Sequence, residues 1–332
     1  MRVWLVFAAC ASILSGCRQN AAAPAASVGN GADDRKPSSI LAALPERPQL
    51  MFVSVAADGS HQHLSVASLD ALDRGRYVTP LSCDRIYFAG SRGICLATEA
   101  DGNSALHLAR IFDQQFQPTF RVPLSGPPSR VRISSDGRRA AATVFESGHS
   151  YAQQGFSTKT TVIDLSDGRI ICDLEEFAVW KDGQRIHEKD FNFWGLTFTQ
   201  DGNQFYATLE TAGVSYLVKG DIDRREIHVV RGGVECPSLS PDGAKLVFKK
   251  RLGSRSRGWW QLATFDVATN DEKVLDKETR SVDDQVEWLD NQTVMYHLTG
   301  SGSAADLWTL AVDGSSEPKL LLREAYSPAV VR

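Results

Sequence analysis

Four acids stand just ahead of short apolar strands: Asp190, Glu235, Asp283 and Asp284, with Arg130 and the pair Asp84-Arg85 in comparable places. Carboxylate oxygens gathered in a ring are the donor set of a hard divalent cation. Interleaved with arginine, the same acids make structural ion pairs. Other metal patterns are incomplete. His61 and His63 alternate on a strand and share a face, but no third ligand accompanies them. The stretch "HEKDF" from His187 lacks a second histidine, and "GSGSAA" from Gly300 sits between strands, not ahead of a helix. There is no Gly-x-Ser-x-Gly elbow and no Walker A loop. The expectation is therefore no catalytic residues and no cofactor, save a channel cation such as calcium.

Cysteines come next. Cys83 and Cys95 flank one hairpin and are the candidate disulfide. Their register is awkward: pairing Tyr87 with Ile94 sets Cys83 opposite residue 98, so a tighter turn or a bulge is expected to bring the sulfurs together. Cys172 and Cys236 read as buried free thiols in separate parts of the fold. Cys17 has a different setting. It follows Arg2, an apolar run from Val3 to Ile13, and then Leu14-Ser15-Gly16. A basic start, a short apolar core and small residues before a cleavage point make a signal peptide. The run is shorter than the ~20 residues that span a bilayer. The ending Leu-Ser-Gly-Cys resembles the lipobox of bacterial lipoproteins, which implies lipidation of Cys17 and a lipid-anchored, exported chain. Residues 1–16 are then the signal peptide. Residues 17–48, rich in Ala, Pro, Ser, Asn and Gly, form a disordered tether. Within it, Ile40 to Leu44 is a short apolar patch that could pack on the folded part.

The elements that must position these residues are strands. "SLSPDGAKLVF" is a hairpin around Asp242-Gly243, and the same turn recurs at Asp136-Gly137 and Asp201-Gly202, with weaker copies at Asp290-Asn291 and Gly90–Gly93. Two more strands follow each hairpin. Anchored on Ile133, Phe198, Leu239 and Trp288, the intervals are 65, 41 and 49 residues, the longest holding an insertion near 175–190. Four-stranded units of about 40–50 residues are propeller blades. Five complete units run from about 83 to 322, and 50–80 supplies three strands of a sixth. The terminal "AYSPAVVR" fits as its missing innermost strand. The fold class is thus all-β: a six-bladed β-propeller over 49–332, closed by pairing of the C-terminal strand with the first blade.

The "SPDG" hairpin followed by "FDVAT" resembles the repeat of TolB-like (WD40-like) propellers, and the lipobox points to TolB-like lipoproteins of the bacterial envelope. That resemblance implies a fold and says little of function. TolB's own N-terminal α/β domain has no counterpart here, so its partnership with Pal does not carry over. The formal net charge of −4 argues against nucleic acid as a partner. The expected role is a monomeric scaffold that binds an envelope protein and meets the membrane through lipidated Cys17. The alternatives are a metal-dependent, lactonase-like hydrolase and a small-ligand sensor. Long links at 146–157, 175–192 and 249–258 share one face of the blades. Their Tyr151, Phe156, Trp180 and Trp194 are anchor-type residues, and Arg251, Arg255 and Arg257 suit an acidic partner. That face is the expected working surface. Arg138 and Arg139, on the Asp-Gly turn face, are expected to be dispensable.

Overall fold

The computed structural model describes residues 48–102, 104–148, 155–253, 259–299 and 305–332. Cys17, the signal peptide and tether, Tyr151, Arg255 and Arg257 lie outside the described residues, as does "GSGSA" from Gly300.

Strands β1 (Gln49–Ser54), β2 (His63–Ser68) and β3 (Tyr77–Ser82) begin the first blade. The second holds β4 (Arg85–Ala89), β5 (Arg92–Asp101), β6 (Ser104–Phe112) and β7 (Pro118–Pro123). The third holds β8 (Pro128–Ile133), β9 (Arg139–Ser147), β10 (Ser157–Asp164) and β11 (Ile170–Asp173). An inserted pair follows, β12 (Ala178–Lys181) and β13 (Gln184–Ile186). The fourth blade is β14 (Asn192–Phe198), β15 (Gln204–Thr211), β16 (Val214–Asp221) and β17 (Glu226–Gly232). The fifth is β18 (Glu235–Leu239), β19 (Lys245–Leu252), β20 (Trp259–Asp266) and β21 (Glu272–Val274). The sixth is β22 (Glu287–Trp288), β23 (Thr293–Thr299), β24 (Ala305–Ala311) and β25 (Lys319–Leu322). The last strand, β26 (Ala325–Val331), returns to β1, giving the first sheet the order β26-β1-β2-β3. The C-terminal strand is therefore the innermost strand of the first blade, as expected.

The Asp-Gly turns share one chemistry. Ser134, Thr199 and Ser240 each donate a hydroxyl hydrogen to the carboxylate two residues on, at 2.6 Å. That carboxylate also accepts a backbone N–H just past the glycine. Gly137, at φ 70°, supplies the left-handed position and lies so close to Gly90 of the neighbouring turn that a Cβ would fall 2.6 Å from a backbone oxygen.

Inner strands are covered on both faces, so β1, "QLMFVS", is buried along its whole length. Met51 and Val53 pack toward the second blade with Ile86 and Phe88, while Leu50 and Phe52 pack toward the sixth with Met295 and Leu307. Each of the six blade-to-blade interfaces has an apolar cluster of this kind. The ring is thus closed by burial as well as by backbone pairing.

The insertion is not the open binding loop that the sequence suggested. Val179 to Ile186 forms a hairpin around Asp182-Gly183, both with positive φ, and β12 pairs in parallel with β17. The fourth blade becomes a sheet of order β13-β12-β17-β16-β15-β14.

Candidate functional site at the central channel

Six innermost strands, β26, β4, β8, β14, β18 and β22, surround the axis. Side chains reach across it. Arg130 on β8 donates to the Asp283 carbonyl of the opposite blade at 3.2 Å. Two residues on, Arg132 donates to the carbonyls of Gln285 at 3.2 Å and Val286 at 2.9 Å, with Glu287 3.7 Å away. Gln285 returns the link, its amide donating to Leu196 O at 3.1 Å and Pro237 O at 2.8 Å. Arg130, Arg132 and Gln285 are all buried. Together these bonds tie blades three, four and five to blade six and divide the channel into two mouths.

The mouth on the Asp-Gly turn face is a funnel with a cavity of about 500 Å³. All six inner strands line it. Its floor holds Arg132, Glu287 and Tyr87, with the Arg132 guanidinium over the Tyr87 ring at 4.8 Å. The Tyr87 hydroxyl donates to Glu287 at 3.3 Å, and burial pushes the Glu287 carboxyl above the usual range. The wall mixes Phe88, Phe198, Leu239 and Val331 with Gln114 and Gln200.

The other mouth is sealed by charge. Lys249 on β19 is fully buried, yet its ammonium hydrogen-bonds Asp283 at 2.5 Å, lies 4.0 Å from Glu235, and sits 4.5 Å above the Trp260 ring. Burial opposes the charge on Lys249, but Asp283 and Glu235 hold its pKa above the ordinary lysine value. Glu235 also accepts from Arg251 and from the Trp260 indole, each at 2.9 Å. Asp284 pairs with His297 Nδ1 at 2.7 Å. Burial works against its ionisation, yet His297 and Arg130 keep it well below the usual carboxylate range.

No protein-family model matches the chain, and no curated protein matches its sequence. Solved structures do match. TolB from Acinetobacter baumannii superposes with a TM-score of 0.55 at 18% identity, over 86% of this chain and 66% of that one. The fold is a TolB-like six-bladed propeller. The chain spans about two thirds of that TolB, and at this identity the likeness is one of fold. A putative TolB from Agrobacterium tumefaciens matches at a TM-score of 0.48 and 12% identity, over 85% of this chain and 91% of that one. A putative 6-phosphogluconolactonase from Bacteroides uniformis matches at 0.47 and 11%, over 83% and 82%.

The TolB-like propeller gathers some of the expected residues and scatters others. Arg130, Glu235, Asp283 and Asp284 do converge at one channel mouth. Asp190 does not: it is exposed and accepts from Thr211 and Ala212 at the β15–β16 turn. The converging acids do not suit a divalent cation, because Lys249, Arg130 and Arg251 already occupy the space between them.

Phe156 and Trp194 are core, not anchors. They meet edge-to-face at 5.3 Å among Phe145, Cys236 and Trp260. A β-bulge follows the buried Trp194, and Gly195, at φ 62°, leaves no room for a Cβ against Cys236. Trp180 is half-buried and stacks on His228 of β17. Arg251 belongs to the charged seal, held by Glu235 and lying over Trp260 at 4.8 Å. On the turn face Arg138 is exposed, whereas Arg139 is half-buried. It joins blade three to blade four through Asn203 at 2.9 Å and Asp223 at 3.0 Å.

Cys83 and Cys95 are joined, with Cα atoms 5.4 Å apart, and Cys172 and Cys236 are free and buried. Neither a bulge nor a tighter turn brings the pair together. Tyr87 pairs with Ile94 in plain register. The chain instead leaves the ladder at Asp84, which still bonds Leu96 O, and Cys83 bonds Gln62 O of the first blade. Sequence reasoning missed Lys249, Arg132 and Gln285. Counting outward from the Asp242-Gly243 turn sets Lys249 opposite Cys236, and a bulge between Glu235 and Ser238 moves it opposite Glu235.

Proposed function

We propose that this chain is a lipid-anchored, extracytoplasmic propeller that binds a protein of the cell envelope, and that the partner enters the funnel on the Asp-Gly turn face. The carrying observation is the closed channel. Arg130, Arg132 and Gln285 block passage along the axis and leave a dead-end concavity at one mouth, within the size range of ligand sites (about 300–1,000 Å³). The TolB-like fold supports a scaffold role. The neutralised acids at the other mouth speak against metal-dependent hydrolysis. On the long-link face Phe156, Trp194 and Arg251 are spent on internal contacts, which favours the funnel. Anchoring through Cys17 rests on the lipobox.

The test uses photo-crosslinking residues at Gln114 and Gln200 on the funnel wall and at Asp101 on the opposite face, in intact cells. The expected result is one envelope protein captured from both funnel positions, rebinding the purified propeller at equal stoichiometry, and no capture from Asp101. Capture from Asp101 alone, or chelator-sensitive lactone hydrolysis by the purified chain, would overturn the proposal.

A further inference from the structure

The first blade has no Asp-Gly turn joining its two innermost strands. In its place lie the end of β26 and the start of β1. Gln49 pairs with Val331, and Val331 and Arg332 line the funnel. The tether therefore enters the fold at the funnel's rim. Just upstream, residues 40–44 read Ile-Leu-Ala-Ala-Leu, an apolar run inside a stretch otherwise rich in Ala, Pro, Ser, Asn and Gly. Leu44 is four residues from Pro48, so it stays within about 15 Å of the rim at no more than ~3.6 Å per residue.

We infer that Ile40–Leu44 docks in the funnel and that a partner must displace it. This rests on the funnel being the binding mouth. The concavity is half apolar at its wall, through Phe88, Phe198, Leu239 and Val331, and dead-ended by the Arg132–Glu287 floor. An apolar segment tied so close has an effective concentration in the millimolar range, enough to fill a weak site without any high-affinity contact. The tether is then a built-in competitor, and partner binding frees it to extend toward the membrane.

Cysteine trapping tests this in the membrane-anchored chain. Ala42→Cys is combined with Gln200→Cys on the funnel wall or with Asp101→Cys on the opposite face, oxidised mildly, and read by peptide mass spectrometry. The expected result is an intramolecular disulfide in the Ala42→Cys/Gln200→Cys chain, independent of protein concentration, and none in the Ala42→Cys/Asp101→Cys chain. In parallel, a synthetic peptide of residues 38–47 should bind the full chain carrying Leu41→Asp and Leu44→Asp about tenfold or more tighter than the unaltered chain, whose funnel is already filled. Equal trapping at both positions, or equal peptide affinity for the two chains, would overturn self-docking. Neither outcome touches the crosslinking result at Gln114 and Gln200, so the two proposals fail separately.

Discussion

Lys249 has no solvent contact, and its charge is stable only because Asp283, Glu235 and the Trp260 ring surround it. Removing one member of a buried ionic cluster leaves the others uncompensated, at a cost of about 3–5 kcal/mol. Lys249→Met is expected to lose that much in urea unfolding, whereas Arg138→Ala, at an exposed turn, should leave the midpoint unchanged. Glu175 gives a pH signature. Burial pushes its carboxyl up to about 8, opposed by the Thr160 N–H and reinforced by Asp173 and Glu146. Lys159 is engaged with Asp173 at 2.8 Å. The folded-state pKa lies above the unfolded one, so the stability that protonated Glu175 contributes is fully present below about pH 4.3 and is lost as pH rises through about 8. The chain and its Glu175→Gln variant should be nearly equal in stability at pH 5. By pH 9 the unaltered chain should fall behind, as urea titrations at the two pH values would show.

At the level of elements, local chemistry was legible in the sequence and long-range chemistry was not. Ser-x-Asp-Gly turns announce themselves because hydroxyl, carboxylate and glycine act within four residues of one another. Repeated, they gave the blade period, the count and the closing strand. The insertion was misread because its length suggested a loop, although Asp182-Gly183 is the two-residue turn of a hairpin. The channel crossing had no local signal at all: Arg132 and Gln285 are 153 residues apart. Trp194 looked like an anchor because it closes a long link, although Gly195, a glycine inside a strand, marks the bulge beside it. β26 is the element on which closure depends. Ending the chain at Glu324 would strip β1 of its partner and uncover Leu50, Phe52 and Met295. Such a chain is expected to melt well below its parent, or to aggregate through the bared edge. A melting temperature equal to the parent's would show that the ring holds without β26.

The propeller is a ring of six interfaces, each carrying its own apolar cluster, and the residues ahead of it are expected to be a lipid-anchored stalk. If Cys17 is the attachment point, Cys17→Ser should leave the precursor uncleaved and free of acyl groups, as fractionation and intact-mass measurement would reveal. A mature chain starting elsewhere without lipid would remove the anchor while leaving the propeller as described.

The place where the stalk joins the ring has a mechanical consequence. Drag on an anchored protein is felt first at Pro48, the residue ahead of β1. β1 is not an edge strand: it is held on one side by β26 and on the other by β2. Tension applied at Pro48 along the strand axis would load both ladders in shear, so many hydrogen bonds would resist together. Had the stalk entered through an outermost strand such as β3, the same force could peel one bond at a time. In a chain anchored as proposed, the strand that closes the ring would also serve as the fastening against which the membrane pulls.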